Sequence, residues 1–158
     1  MGIKSITTLL LLGLAILCLA KRATAQADDI AVVVNSGNPT THISFADLRK
    51  MLAGTKRSWP DGQPVKLIAR SPGCVERLVL LKLLEMTENE YKQYWTAQVF
   101  RGEADAAPIT VPSVGMQKEA VIAFSGALSL VSVKDVKPGM KVIKVDGLLP
   151  GEAGYPVR

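Results

Sequence analysis

The chain has 158 residues, of which 48% are hydrophobic, and it carries a formal net charge of +5 from 19 Lys and Arg residues against 14 Asp and Glu. One histidine and two cysteines, without metal-ligand spacing among the carboxylates, exclude a His-rich metal site and a disulfide framework. We therefore expect a single-core domain with no metal and no cofactor.

The first 27 residues are predicted to be a signal peptide. Lys4 provides a positive start, and residues 6–20 form an apolar run without charge. This run is shorter than the roughly 20 residues needed to cross a bilayer, so we expect no permanent membrane anchor. The small residues of "ATAQA" place the cleavage after Ala25 or Ala27. The sequence thus predicts a bacterial protein that is exported to the periplasm or secreted.

Removing residues 1–27 changes the charge balance. The segment contains three of the 19 basic residues and none of the 14 acidic ones, which leaves a net charge of +2. This small excess, without a basic run that alternates with aromatic residues, argues against a nucleic-acid partner. Only Cys74 remains, so residues 28–158 cannot form an internal disulfide.

The first predicted elements are a strand and a helix. Ile30–Asn35 reads "IAVVVN", a β-branched run typical of a strand buried on both faces, as in a parallel sheet. Ser44 and Asp47 form an S-x-x-D capping box ahead of apolar residues at helical spacing. Gly54 is placed to end this helix.

The middle of the chain contains a strand and two helices. Residues 65–69 ("VKLIA") are predicted to be the second strand, and residues 74–86 a helix that is apolar nearly all round. Thr87 and Glu90 form a second capping box, which opens a helix followed by Gly102.

The last third adds one helix and two strands. Ser113 is expected to cap a helix that Gly126 closes, and residues 127–133 and 141–145 are predicted strands. The alternation of strands with helices predicts that residues 28–158 form one α/β domain with a mainly parallel sheet flanked by helices.

The loop between the second strand and the apolar helix is the candidate ligand site. In "LIARSPGCVER", Arg70 can give a two-pronged contact to an oxyanion, Ser71 offers a hydroxyl, and Gly73 allows close approach of the backbone. The alternative is that Arg70 is a surface residue and residues 71–73 form an ordinary turn, and the local pattern alone favours this alternative.

An ordered series of segments resembles one lobe of the periplasmic phosphate-binding proteins of ABC transporters, which have a type 2 periplasmic binding fold with two α/β lobes. The resemblance covers nearly all of residues 29–158. It is carried by "AVVVNSGNPTTHISFADLRKMLAGTKRSWPDGQPVKLIARSPG", "YKQYWTAQVFRG", "FSGALSLVSV" and "KVDGLLPGEAGYPVR". It implies a substrate-binding protein for phosphate transport, in a short form with length for one lobe.

Carried over by residue, the family's phosphate loop R-x-x-G-S-G-T matches at Arg70 and Gly73. Cys74, Val75 and Glu76 replace its serine, glycine and threonine. The predicted ligand-binding residues, for phosphate or another oxyanion, are Arg70, Ser71, Gly73 and Cys74. The replacements favour weak or lost binding, because a carboxylate facing the site repels an anion. Two orientations of Glu76 remain open, inward or outward towards the solvent.

Two other functions are considered. The apolar helix at residues 74–86 is also consistent with a protein-interaction module. In that case, a second copy of the chain or a transporter component would cover an apolar face of the helix that is otherwise exposed to solvent. Alternatively, Cys74 at a helix N-terminus is the nucleophile of an enzyme, with His42 as its base. No nucleophile motif surrounds Cys74, so we expect the protein not to be an enzyme.

Overall fold

The computed structural model describes residues 29–158, and the predicted signal peptide lies outside the described residues. The strands are β1 (Ile30–Asn35), β2 (His42–Ile43), β3 (Lys66–Arg70), β4 (Ile109–Val111), β5 (Ala127–Ser132), β6 (Met140–Val142) and β7 (Lys144–Val145). The helices are α1 (Phe45–Leu52), α2 (Val75–Leu84), α3 (Glu88–Phe100) and α4 (Val114–Ala123), with a 3-10 turn at Val133–Asp135. Within residues 29–158, no helix is long and apolar enough to span a membrane.

Two sheets organise the fold. The larger has the strand order β4-β3-β5-β1-β6, and the smaller pairs β2 with β7. Strand β3 runs parallel to β4 and β5, and β2 runs parallel to β7, whereas β1 is antiparallel to both β5 and β6. Counted over both sheets, three of the five pairings are parallel, and two of these lie in the larger sheet. The predicted α/β domain with a mainly parallel sheet and flanking helices is confirmed.

Strand β1 is buried on both faces, as predicted, but its direction was wrongly predicted. Its alternate side chains enter two different cores: Ile30, Val32 and Val34 on one face, and Ala31 and Val33 on the other. Burial on both faces therefore follows from having helices on both sides of the sheet, and it does not fix whether the neighbouring strands are parallel.

The larger sheet lies between two helical layers. The larger core unites one sheet face with α1, α2 and α3, and the smaller core unites the other face with α4. In the chain, β3 ends at Arg70 and α2 begins at Val75. The candidate loop connects these two elements.

Three helices begin as predicted, with a hydroxyl side chain that accepts a hydrogen bond from a backbone N–H three residues later: Ser44, Thr87 and Ser113. Thr87 and Glu90 complete their capping box. At α1 the carboxylate of Asp47 instead forms an ion pair with Lys56 at 2.7 Å.

Several boundaries differ from the predictions. The predicted strand 141–145 is interrupted at Ile143, so that β6 and β7 belong to different sheets. Helix α4 ends before Gly126, and α2 ends at Leu84 because Glu85 adopts the left-handed conformation (φ 57°). The short strands β2 and β4 were not predicted.

Candidate functional site

The loop after β3 is a tight turn. The N–H of Cys74 donates to the carbonyl of Ser71 at 3.4 Å, and Gly73 has a φ of +88°. Proline at the second position and a glycine with positive φ at the third are typical of a type II turn. A Cβ atom at Gly73 would have no neighbour within 4 Å. The glycine therefore serves the backbone conformation of the turn, and the predicted close approach is not what requires it.

The N-terminus of α2 has no side-chain cap. Cys74 occupies the cap position, and its side chain accepts no hydrogen bond from the first helical turn. The first N–H groups of a helix lack acceptors inside that helix. Because the helix dipole adds partial positive charge there, the uncapped start of α2 is an electrostatically favourable place for an anion.

Arg70 is buried, so the interpretation of it as a surface residue was wrong. Only 9% of the residue is exposed. Its Nη2 donates to the Cys74 Sγ at 3.4 Å, whereas Nε and Nη1 have no hydrogen-bond partner among residues 29–158. A buried guanidinium normally satisfies its donors. Arg70 therefore presents two unused donors beside the uncapped start of α2.

Ser71 is held by the end of strand β4. Both its N–H and its hydroxyl donate to the carbonyl oxygen of Val111, at 3.1 and 3.3 Å. The structure thus brings Arg70, Ser71, Gly73 and Cys74 into one turn. The Ser71 hydroxyl would have to leave Val111 before it donated to an anion.

Glu76 points inward, so the outward orientation was wrong. It is 5% exposed, and its Oε2 lies 3.9 Å from the Nε of Arg70. This distance is too long for a hydrogen bond but short enough for strong attraction between the charges. Arg70 and Glu76 line a cavity of about 10 Å³, room for about one water molecule, whose other walls are apolar.

The structure does not support His42 as a base for Cys74. His42 begins β2 in the smaller sheet, where its Nδ1 contacts the Thr41 hydroxyl at 3.4 Å. Among the described residues, no hydrogen bond connects His42 to Cys74. Nor does any group of three His, Cys, Asp or Glu side chains in this part of the chain have an arrangement that could hold a metal ion.

A buried polar cluster that the sequence did not suggest fixes α4 to the sheet. Gln117 is fully buried, and its Nε2 donates to the Ser129 hydroxyl and to the Leu130 carbonyl, both at 2.8 Å. Ser129 in turn donates to the Ile68 carbonyl at 2.8 Å. The role of Gln117 could not be predicted from the apolar pattern of α4, because its hydrogen-bond partners, Ser129 and Leu130, lie on β5.

A second concave region lies beside α3. It is a groove of about 670 Å³ whose walls come from α3, from the loop before α2 and from residues 107–110. Phe100, at its border, is 91% exposed. Arg77 lies 4.0 Å above the ring of Tyr91, and burial raises the pKa of Tyr91 to about 12. The groove could not be predicted from the sequence, because its walls come from segments that are distant in the chain.

Comparison with known proteins supports the fold. No protein-family model matches the chain, and no curated protein is significantly similar to it. Among solved structures, an ABC-type phosphate transport receptor from Vibrio cholerae aligns with a TM-score of 0.61 and 23% identity, over 77% of this chain and 48% of the receptor.

Two further structures give similar values. A protein from Clostridium perfringens, described as a phosphate ABC transporter substrate-binding protein with bound phosphate, aligns with a TM-score of 0.60 and 17% identity, over 76% of this chain and 46% of its own. PstS from Borrelia burgdorferi aligns with a TM-score of 0.55 and 16% identity, over 77% and 49%.

The chain therefore spans about half the length of the structures that it matches. At these identities the likeness is one of fold. It confirms the predicted resemblance to a lobe of the phosphate-binding proteins, and it places this chain among periplasmic-binding-protein-like folds.

Proposed function

We propose that this protein is an exported, single-lobe relative of the phosphate transporter substrate-binding proteins that retains at most weak binding of phosphate or another oxyanion. The proposed site is the loop after β3. The proposed form begins after cleavage at Ala25 or Ala27, and it acts outside the cytoplasm as a binding protein and not as an enzyme.

One observation carries this proposal: the buried guanidinium of Arg70 has two unused donors next to a helix that lacks a side-chain cap. A buried charge with unsatisfied donors destabilises a protein unless a ligand or water completes its hydrogen bonds. The aligned Clostridium protein was solved with phosphate, which makes a tetrahedral oxyanion the first ligand to test.

Each predicted site residue has a distinct part in the proposal. Arg70 gives a charge-assisted contact through Nη1, and through Nε once the Glu76 carboxylate has moved away. Gly73 shapes the turn, Cys74 leaves the start of α2 uncapped, and Ser71 adds a donor once it leaves Val111. Val75 brings a β-branched side chain to the first helical position, which limits how closely the backbone can surround an anion.

The test is calorimetric titration of residues 28–158, which contain the whole described fold, with phosphate at constant ionic strength. We expect saturable binding with a dissociation constant on the order of 1 mM, equivalent to about 4 kcal/mol. Arg70→Ala should abolish it, and Arg70→Lys should weaken it, because lysine keeps the charge and loses the two-pronged geometry.

The matched control is Arg101→Ala, which removes an exposed cation that is paired with Glu103 far from the loop in sequence. It should leave binding unchanged. Circular dichroism must show that the Arg70 variants are folded. Binding that is equally strong in folded Arg70→Ala, or a dissociation constant below about 1 μM in the unmodified chain, would contradict the proposal.

A second candidate function is protein interaction through a homodimer. On α2, Val75 is 41% and Leu78 is 57% exposed, although the other apolar residues of the helix are covered. Light scattering coupled to size exclusion distinguishes the candidates. A dimer that Leu78→Glu dissociates would favour interaction, whereas a monomer at about 100 μM would argue against it.

A further inference from the structure

We propose that Glu76 is a built-in counter-ion for Arg70 and that its carboxylate determines how tightly this site holds an oxyanion. The inference rests on the proposed function, since both concern the same loop. Glu76 occupies the second position of α2, where a carboxylate can stabilise the helix dipole without leaving the solvent. Here its side chain is only 6% exposed, so its burial needs another explanation.

The partner in this explanation is Arg70. The two side chains are 10% and 6% exposed, and their charged atoms lie 3.9 Å apart. A buried pair at this distance has electrostatic attraction without the direct hydrogen bond that would offset the loss of solvation. Nε, the Arg70 atom nearest to Glu76, is also one of the two donors without a partner.

The space between the two charges leaves no room for a larger anion. The cavity that they line holds about one water molecule, and its remaining walls are Leu52, Leu67, Ile68, Ala69, Leu80 and Leu130. An oxyanion with four oxygen atoms therefore reaches Nε of Arg70 only if the Glu76 carboxylate moves away. Glu76 and the ligand compete for the same cation.

The neighbouring cation cannot relieve this competition. Arg77 is held by Glu88 through two hydrogen bonds, Nη2 to Oε1 at 2.6 Å and Nε to Oε2 at 3.0 Å. Among residues 29–158, Glu76 forms an ion pair with Arg70 alone. Removing the charge of Glu76 therefore leaves Arg70 as an uncompensated buried cation, and this increases its attraction for an anion.

The experiment is calorimetric titration of Glu76→Gln and Glu76→Thr with phosphate and, separately, with sulfate, at the same ionic strength. We expect both variants to bind about tenfold or more tightly than the unmodified chain. The double variant Arg70→Gln/Glu76→Gln should not show this increase in affinity. Thermal unfolding with and without phosphate shows whether each variant is folded, and it gives a second measure of binding.

Glu85→Gln is the matched control, because it removes the same charge from the residue directly after α2, where the side chain is 77% exposed. Its affinity should equal that of the unmodified chain. If the affinity of this control rose by the same factor, the effect would come from net charge, and the inference would be overturned.

The other outcomes separate the two proposals. If the unmodified chain binds through Arg70 and folded Glu76 variants bind no more tightly, the inference fails and the proposed function stands. If the unmodified chain shows no binding but the Glu76 variants bind and need Arg70, the inference stands and identifies why binding was lost. If no folded variant binds either anion, the inference fails, and so does the expectation that the loop after β3 still binds an oxyanion.

Discussion

Gly126 lies where two backbone segments approach too closely for any side chain. A Cβ atom there would be 2.0 Å from the carbonyl oxygen of Pro64. The carbonyl of Gly126 also accepts hydrogen bonds from the Trp59 Nε1 at 3.0 Å and from the N–H of Lys66 at 2.9 Å. Gly126→Ala should therefore lower the free energy of unfolding by about 3 kcal/mol, because neither backbone can move without losing these bonds.

Urea-induced unfolding followed by fluorescence measures this effect. The matched control is Gly115→Ala within α4, where a Cβ atom would meet only the Ser113 hydroxyl oxygen at 3.9 Å. Since alanine is a better helix former than glycine, the control should be neutral or slightly stabilising. Equal stability of the two variants would contradict the close contact at Gly126.

Single residues show what the sequence could and could not predict. The turn at Gly73 and the placement of Arg70 at a strand end follow from local patterns, and the structure has both. The inward orientation of Glu76 depends on a cavity whose walls include Leu52 and Leu130, which are distant in sequence. Likewise, Gly126 looked like the end of a helix, and its contact with Pro64 could not be read from neighbouring residues.

Helices α2 and α3 are joined by an ion pair that connects the stability of the fold to pH. Arg77, whose side chain is 6% exposed, donates two hydrogen bonds to Glu88. The hydrogen bond from Arg77 lowers the pKa of Glu88 from its ordinary value of 4.5. The pair therefore stabilises the fold fully above pH 4.5, and this contribution is lost as pH falls through the lowered pKa.

Glu88→Gln should reduce stability by about 1 kcal/mol at pH 7, because solvent screens a pair whose carboxylate is 42% exposed, and the difference from the unmodified chain should shrink as the pH approaches 3. Urea unfolding at several pH values between 7 and 3 measures it. Glu119→Gln is the control, because it removes the charge of an exposed carboxylate in α4. Its free energy of unfolding should change with pH in the same way as that of the unmodified chain. A constant difference for Glu88→Gln across this pH range would show that ionisation of Glu88 is not involved.

At the level of elements, the prediction succeeded where local signals are strong. All four helices of residues 29–158 were predicted, because caps and apolar periodicity are encoded within each helix. The short strands β2 and β4 were missed because two or three residues carry little pattern and are defined by their partners. The break at Ile143 has the same origin, since its N–H pairs with the Val32 carbonyl far away in the chain.

At the level of the whole molecule, the order of the segments predicted the α/β lobe better than any single motif did. The sheet has β1 antiparallel to its neighbours, and a burial pattern cannot distinguish this from a parallel strand. The groove beside α3 is likewise a property of the assembled fold, because residues from Pro72 to Thr110 meet there.

The closing segment of the chain completes the larger core. Tyr155 is 2% and Val157 is 1% exposed, and both belong to the larger core together with Ile30, Val32 and Val34 of β1. Burial raises the pKa of Tyr155. Its hydroxyl lies near the backbone of Val32 but makes no hydrogen bond of ordinary geometry among residues 29–158, so we expect the ring to contribute more to stability than the polar atom.

Two substitutions at this position separate the ring from the hydroxyl. Tyr155→Ala should lower the free energy of unfolding by about 3–5 kcal/mol, because it leaves a cavity in the larger core. Tyr155→Phe should be neutral or slightly stabilising, since it removes a buried hydroxyl that lacks a partner and keeps the packing. Thermal and urea unfolding measure both changes. A large loss in Tyr155→Phe would reveal a hydrogen bond to the hydroxyl, and a small loss in Tyr155→Ala would mean that the core is complete without the closing segment.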